Sequence, residues 1–519
     1  MKRLILSFIF FFAVLVSQAK VTLPPVLADN MVLQQQAEVA LWGKADPDAK
    51  IVITTTWAKD KVTVRAGQDG RWLARVATPQ AGGPYEITFN DGEKVTLKNV
   101  LIGEVWICSG QSNMNMRIRG AETQPVEGSA ELIMGADPST PIRSCNLEHI
   151  MSFEPQEECE AKWWENTPEG VADASATAYF FAKRLYEVLK VPIGIIHASW
   201  GSTPIEAWMS PQLLAEEFAS EFDLSHFETK VWREKRPFQM PGVLYNGMLY
   251  SLKNYTAKGF IWYQGCTNRS NPEQYKRLQP AFVKMLRKDW NNEKMPFYYV
   301  QIAPHKSNPP EFMWAQAQNL ADIPYSGMAC VHDTGEYNVI HPAKKQPVGD
   351  RLAYLALTKD YGMDFIDADT PVPVKFEFKE GEAIVTFNDM KMGLNPSAQD
   401  IEGFELAGED GLFHPAKGRV IGKNVLKVYK CPQVQNPVAV RYAMSRWCHQ
   451  LCSIATVSLQ PHSLQINNIE ILLIFEETTS DCLGKSAILV VSFYILFIRI
   501  NFVNASCRYK FNCYLCDVI

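Results

Sequence analysis

The 519-residue chain has no excess of basic residues, no internal repeat and no low-complexity linker. Its 51 Lys and Arg against 56 Asp and Glu leave a net charge of −5, which supplies no positive field for a polyphosphate, so nucleic acid is not an expected partner. Long apolar runs are also missing. Crossing a bilayer takes about 20 apolar residues, and the runs from Leu4 to Val16 and from Ala487 to Ile498 are both too short. No stable membrane span is therefore expected. Cys513 and Cys516 have metal-like spacing, but no second pair or His-x-His partner accompanies them. The full Gly-x-Ser-x-Gly elbow of many hydrolases is absent too.

What is present is enough apolar material, 47% of residues, for several packed cores, and the length suggests two to four domains. The 13 Trp and 19 Tyr suit a sugar-handling surface, although such residues are more often core. Lys2 and Arg3 ahead of Leu4–Val16, then Ser17-Gln18-Ala19, read as a secretory signal over 1–19, which predicts export to a periplasm or cell surface. Residues 20–98 alternate in short strands separated by turns such as Asp46-Pro47-Asp48 and Asn90-Asp91-Gly92, the pattern of a small β-sandwich. Residues 99–365 change to apolar strands alternating with helical patterns, which predicts a three-layer α/β domain around a parallel sheet. Strand signals return over 366–447 as a second β module. The tail, 448–519, matches nothing before it and reads as an altered end, poorly ordered or aggregation-prone, outside the fold. Six of the 12 cysteines lie in that tail; of the others, Cys145 and Cys159 are a candidate bridge.

The chemistry concentrates at strand ends of the α/β domain. Val105-Trp106-Ile107-Cys108-Ser109 is an apolar run that stops at Gly110-Gln111-Ser112-Asn113-Met114, a turn that exposes a hydroxyl beside backbone N–H groups. Alone, it also fits an ordinary Gly/Ser/Asn turn. A nucleophilic serine needs a base, and His341 in Ile340-His341-Pro342 follows the strand Met328–Val331. Two further loops follow strands of the same domain: Ser199-Trp200-Gly201-Ser202-Thr203-Pro204, which offers the Gly201 N–H, and Gln264-Gly265-Cys266-Thr267-Asn268, which offers the Asn268 amide. Ligands of such sheets sit at the carboxyl ends of the strands.

These segments, with Trp200–Trp208, Trp262-Tyr263-Gln264-Gly265 and Gly349-Asp350-Arg351-Leu352-Ala353, resemble bacterial sialate O-acetylesterases, which belong to the wider Ser-Gly-Asn-His (SGNH) hydrolases. The resemblance runs from about Val21 to Trp447 and stops at the tail. It implies a flavodoxin-like SGNH-hydrolase domain with flanking β-sandwich modules, and an exported carbohydrate O-acetylesterase. Its substrate would be an acetylated carbohydrate, a sialic acid or related glycan, and it would need no metal or organic cofactor. By matching position Ser112 would be the nucleophile, His341 the base, and the Ser112 and Gly201 N–H groups with Asn268 the oxyanion hole.

The chain departs from the family pattern at three places. Many relatives carry Glu-Ser where it has Cys266-Thr267, a second Gly where it has Ser202, and an Asp where it has Val339. The last removes the acid expected to orient His341, and Asp333 or Glu336, nearby in sequence, is the expected substitute. Two rival readings share the motifs: an acetylxylan or other plant-polysaccharide esterase, and a catalytically weak carbohydrate-binding relative.

Overall fold

The computed structural model describes residues 21–446 and, beyond them, three short strands, Leu464–Ile466, Ser486–Leu489 and Ile498–Asn501. The signal sequence read over 1–19 and, those strands apart, the tail from 448 with Cys513 and Cys516 lie outside the described residues. The chain forms two units whose principal spans meet between Thr370 and Pro371, not at 365.

The first unit is built around a mostly parallel sheet. Its central strand, β1 (Lys94–Gly110), is followed by β2 (Ile142–Leu147), β3 (Ala161–Trp164), β4 (Ile193–Ser199), β5 (Gly259–Tyr263), β6 (Phe297–Val300) and β7 (Ser326–Ala329). Their spatial order is β7-β6-β5-β1-β4-β2-β3, parallel throughout except for β3, which is antiparallel to β2. Strands β2, β4, β5 and β6 are buried at every position. The continuous apolar and aromatic runs of β5 and β6 follow from that, since helices cover both faces of a parallel sheet. Helices α1 (Ser112–Asn115), α2 (Ala176–Leu189), α3 (Pro272–Asp289), α4 (Pro310–Asp322) and α5 (Gln346–Asp360) lie between or after the strands. At Gly349 of α5 a side-chain carbon would stand 2.5 Å from Phe180 Cβ and 2.8 Å from the Thr177 carbonyl oxygen, so only glycine lets α5 approach α2 this closely.

The amino-terminal strands do not end at a boundary near 98. Strand Gly82–Asn90 pairs antiparallel with the first half of β1, from Gly82↔Ile102 to Asn90↔Lys94, and Val32–Gln34 pairs parallel with Leu101–Gly103. The second half of β1 pairs with β4 and β5. One 17-residue strand therefore belongs to both sheets, and the amino-terminal module is continuous with the α/β domain. Glu38–Lys44 and Arg71–Ala77 form a separate antiparallel pair, the latter alternating exposed and buried as a two-residue period requires.

The second unit is an antiparallel sheet. Its strands are Pro373–Lys379, Glu382–Phe387, Val425–Val428, Phe413–Gly422, Ile401–Ala407 and Ala439–Tyr442 in spatial order, with Leu464–Ile466 paired to the last. Val385, Phe387, Phe404, Leu406, Leu426 and Val428 fill its core.

The expected Cys145–Cys159 bridge is not made: both are buried free thiols, and Cys159 donates to the Glu148 and Glu160 carbonyls. The indoles of Trp106, Trp208 and Trp262 are fully buried and serve the core. Among the described residues no helix is long and apolar enough to cross a membrane.

Candidate active site

Because β1, β4, β5 and β7 are parallel, their carboxyl ends share one edge, and each continues into a loop that carries one of the predicted residues. The loops are tied together there. The Gln111 N–H donates to the Tyr263 carbonyl and the Trp200 N–H to that of Gly110. Gly110 itself has φ +139°, and a side-chain carbon there would lie 2.3 Å from the Tyr263 oxygen, so the turn that presents Ser112 requires glycine.

Ser112 opens α1 and is half-buried. Its Oγ lies 2.8 Å from Nε2 of His341, 229 residues later. On the far side of the ring, Nδ1 lies 2.5 Å from Oε1 of Gln124. An amide oxygen only accepts, so Nδ1 carries the proton and Nε2 is left to accept from the serine hydroxyl. Burial first, then the electrostatic effect of Lys345 and His305, push the His341 pKa down to about 4, which keeps the ring neutral and receptive at ordinary pH.

Neither acid expected behind His341 is there. Asp333 is engaged by Arg351 in a two-point fork, Nη1 to Oδ1 at 2.6 Å and Nη2 to Oδ2 at 2.7 Å. Glu336 Oε1 accepts from the Ala343 N–H at 2.9 Å, which shapes the loop that bears His341 without touching the ring. Gln124, an uncharged amide, occupies the position assigned to an acid, and no motif or periodicity marked it in advance.

Gly201 lies against the serine: a side-chain carbon at 201 would stand 3.6 Å from Ser112 Cβ. Among the described residues neither the Ser112 nor the Gly201 N–H has a hydrogen-bond acceptor. Ser202, where many relatives have glycine, is held at φ +63°, the left-handed region that glycine favours. Asn268 is buried and fixed. Its Oδ1 accepts from the Ile205 N–H at 3.0 Å and from Gln264 Nε2 at 2.7 Å, while Nδ2 donates to Glu206 Oε2 at 2.8 Å, leaving one Nδ2 hydrogen uncommitted among the described residues. Burial raises the pKa of Glu206.

Sequence reasoning also missed three supports. Gln111 Oε1 accepts from the N–H groups of Gly265 and Thr267, joining the serine turn to the Asn268 loop. Asn113, the residue after the serine, donates through Nδ2 to the Ile340 carbonyl at 3.0 Å and accepts from Lys345 Nζ. At the start of α2, Ser175 Oγ donates to the Met114 carbonyl at 2.6 Å and Thr177 Oγ1 to that of Asn113 at 3.0 Å. Gln111 and Asn113 flank Ser112, and the pair of amides on either side of a candidate nucleophile was the available signal. Among the described residues no group of three or more His, Cys, Asp or Glu is placed to hold a metal ion.

A mixed α/β sheet with helices and further β-sheets, carrying a histidine-bonded serine at the carboxyl edge of its strands, is the arrangement of a carboxylic ester hydrolase. Residues 102–354 match the model of the carbohydrate esterase family of sialic acid-specific acetylesterases. The human sialate O-acetylesterase is 27% identical over 464 residues, covering 81% of this chain and 86% of the human protein. The mouse sialate O-acetylesterase is 27% identical over 488 residues, 81% of this chain and 88% of that protein. A crystal structure of a carbohydrate acetylesterase from Xanthomonas citri superposes with a TM-score of 0.77 at 29% identity, covering 86% of this chain and all of that one.

Proposed function

We propose that this chain removes O-acetyl groups from sialic acids or related acetylated glycans, with Ser112 as nucleophile and His341 as base. The observation that carries the reading is the 2.8 Å contact between Ser112 Oγ and the unprotonated Nε2 of His341. Oγ attacks the acetyl carbonyl carbon as its proton passes to Nε2. The oxyanion that forms is met by the N–H groups of Ser112 and Gly201 and by the remaining Nδ2 hydrogen of Asn268, donors typically worth ~10²–10³ in rate each. Collapse breaks the ester bond, and Nε2–H returns the proton to the departing sugar hydroxyl. Water then attacks the acetyl-serine, His341 takes one of its protons, and collapse with return of that proton to Oγ releases acetate.

The parallel sheet order, with the serine at the end of its central strand, supports a three-layer, flavodoxin-like SGNH domain with a β module on either side. Lys2 and Arg3 before the apolar run to Val16 support export to a periplasm or cell surface.

The test is acetate release from an acetylated sialoside and from acetylated xylan by the full chain and by Ser112→Ala. The expected result is release from the sialoside that Ser112→Ala lacks, with the variant still folded. A Ser112→Ala protein that cleaved at the parental rate would end the proposal, and a preference for xylan would transfer it to plant polysaccharide.

A further inference from the structure

Lys345 is out of place by every local rule. Its side chain is 1% exposed. It occupies the N-cap of the 15-residue helix α5, the end at which the helix dipole disfavours a cation. Among the described residues it forms no ion pair, and its ammonium donates to a neutral amide oxygen, Oδ1 of Asn113. A buried cation with no carboxylate in ion-pair contact is costly, and a cost of this kind is usually retained at a working site.

The geometry shows what the contact accomplishes. Burial lowers the Lys345 pKa to about 7, and below that pH its ammonium only donates, so an asparagine amide that can present either end to a neighbour is held with Oδ1 toward Lys345. Nδ2 of the same amide is then turned onto the Ile340 carbonyl, 3.0 Å away. Asn113 directly follows the serine and Ile340 directly precedes the histidine. One amide thus joins the chain neighbours of the two reacting side chains, and Thr177 Oγ1 anchors its backbone carbonyl from α2.

We propose that Lys345 is a positioning residue: through Asn113 it locks the serine turn to the histidine loop and keeps Ser112 and His341 in register. This rests on the reading of those two as the reacting pair. The amine also faces Cys266 and Glu336, and His341 in turn faces Lys345 and His305, with Arg269 beside both Cys266 and His305. A cation at 345 therefore works against protonation of His341, and its removal makes the ring easier to protonate.

Kinetics of the full chain on an acetylated sialoside test this. Lys345→Met is expected to lower kcat roughly 10–100-fold, the scale of a misplacement near 1 Å. KM should stay within about threefold, because no substrate contact is removed. The acid limb of kcat/KM is expected to move to higher pH, which a purely structural role would not cause. Lys345→Gln, which keeps an N–H donor without charge, should recover most of kcat while the limb stays displaced. Asn113→Ala should lose as much as Lys345→Met, and the double variant should be no worse than either single one. Parental kcat with an unmoved limb in Lys345→Met, or additive losses in the double variant, would overturn the proposal. If Lys345→Met does not fold, Asn113→Asp decides: it keeps the acceptor for Lys345 and loses the donor to Ile340, so it should lose kcat, and parental kcat would overturn the proposal. Activity surviving in Ser112→Ala would instead remove the reacting pair on which the proposal stands, a separate readout.

Discussion

The imidazole of His341 is oriented by the side-chain carbonyl of Gln124, 2.5 Å from Nδ1. A neutral amide fixes the tautomer as an acid would, but it adds no negative charge to hold a proton on the ring once His341 has taken one. The basicity of the ring is therefore set by its burial and its cationic neighbours.

Replacing that oxygen separates orientation from charge. Gln124→Ala is expected to reduce kcat about 10²-fold with little change in KM, since the ring loses its restraint and substrate contacts are untouched. Gln124→Glu restores an acceptor and adds a charge that stabilises the protonated ring, so the acid limb of kcat/KM should move upward in pH. Steady-state kinetics across pH on the parent and both variants check this; an unmoved limb in Gln124→Glu would show that the carboxylate does not reach Nδ1.

Acid should affect rate and stability in different windows. With His341 at about 4, kcat/KM of the parent should be flat from neutrality to about pH 5 and fall about tenfold per pH unit below 4. Stability should decline earlier. Burial holds His197 and His332 at about 3, and all three folded values lie below the ordinary 6.5. The unfolded chain therefore binds protons that the folded one refuses. Their contribution is whole above about pH 6.5 and is lost as pH falls through the folded values, at up to about 1.4 kcal/mol per unit for each ring. Tm measured from pH 7 to pH 5 should fall steadily while initial rates hold; a Tm indifferent to pH over that range would contradict the assignment of buried neutral rings.

Asn268 and Glu206 should behave as one device. Asn268→Ala is expected to lower kcat by ~10²–10³ with KM nearly constant, the cost of one oxyanion donor. Glu206→Gln can turn its own amide N–H toward Asn268 and disturb the 2.8 Å contact that orients it, so a smaller loss in the same parameter is expected. A loss confined to KM in either variant would assign the pair to sugar binding instead.

Ser112 and His341 were legible because each lies just past a run of consecutive apolar residues, and a parallel sheet delivers all such positions to one edge. The placement of Gly201 and Asn268 at that edge followed from the same rule. Gln124 was not legible. It sits in irregular chain between α1 and β2, with no periodicity to place it, and it meets a histidine 217 residues away. Asp333 and Glu336 were chosen for closeness in sequence, but one is taken up by Arg351 and the other by the Ala343 N–H. The boundary near 98 failed for a related reason. Alternation of residue types marks where a strand is, not how many sheets it serves.

That shared strand sets how the molecule can be divided. The serine is attached to the distal tip of a single span whose opposite end is stitched into the amino-terminal module. A minimal esterase trimmed at the start of the α/β pattern would expose the unpaired edge of its own central beam. Whatever seizes or loosens the small module pulls on the member from which Ser112 hangs, so the two stand or fall as one body.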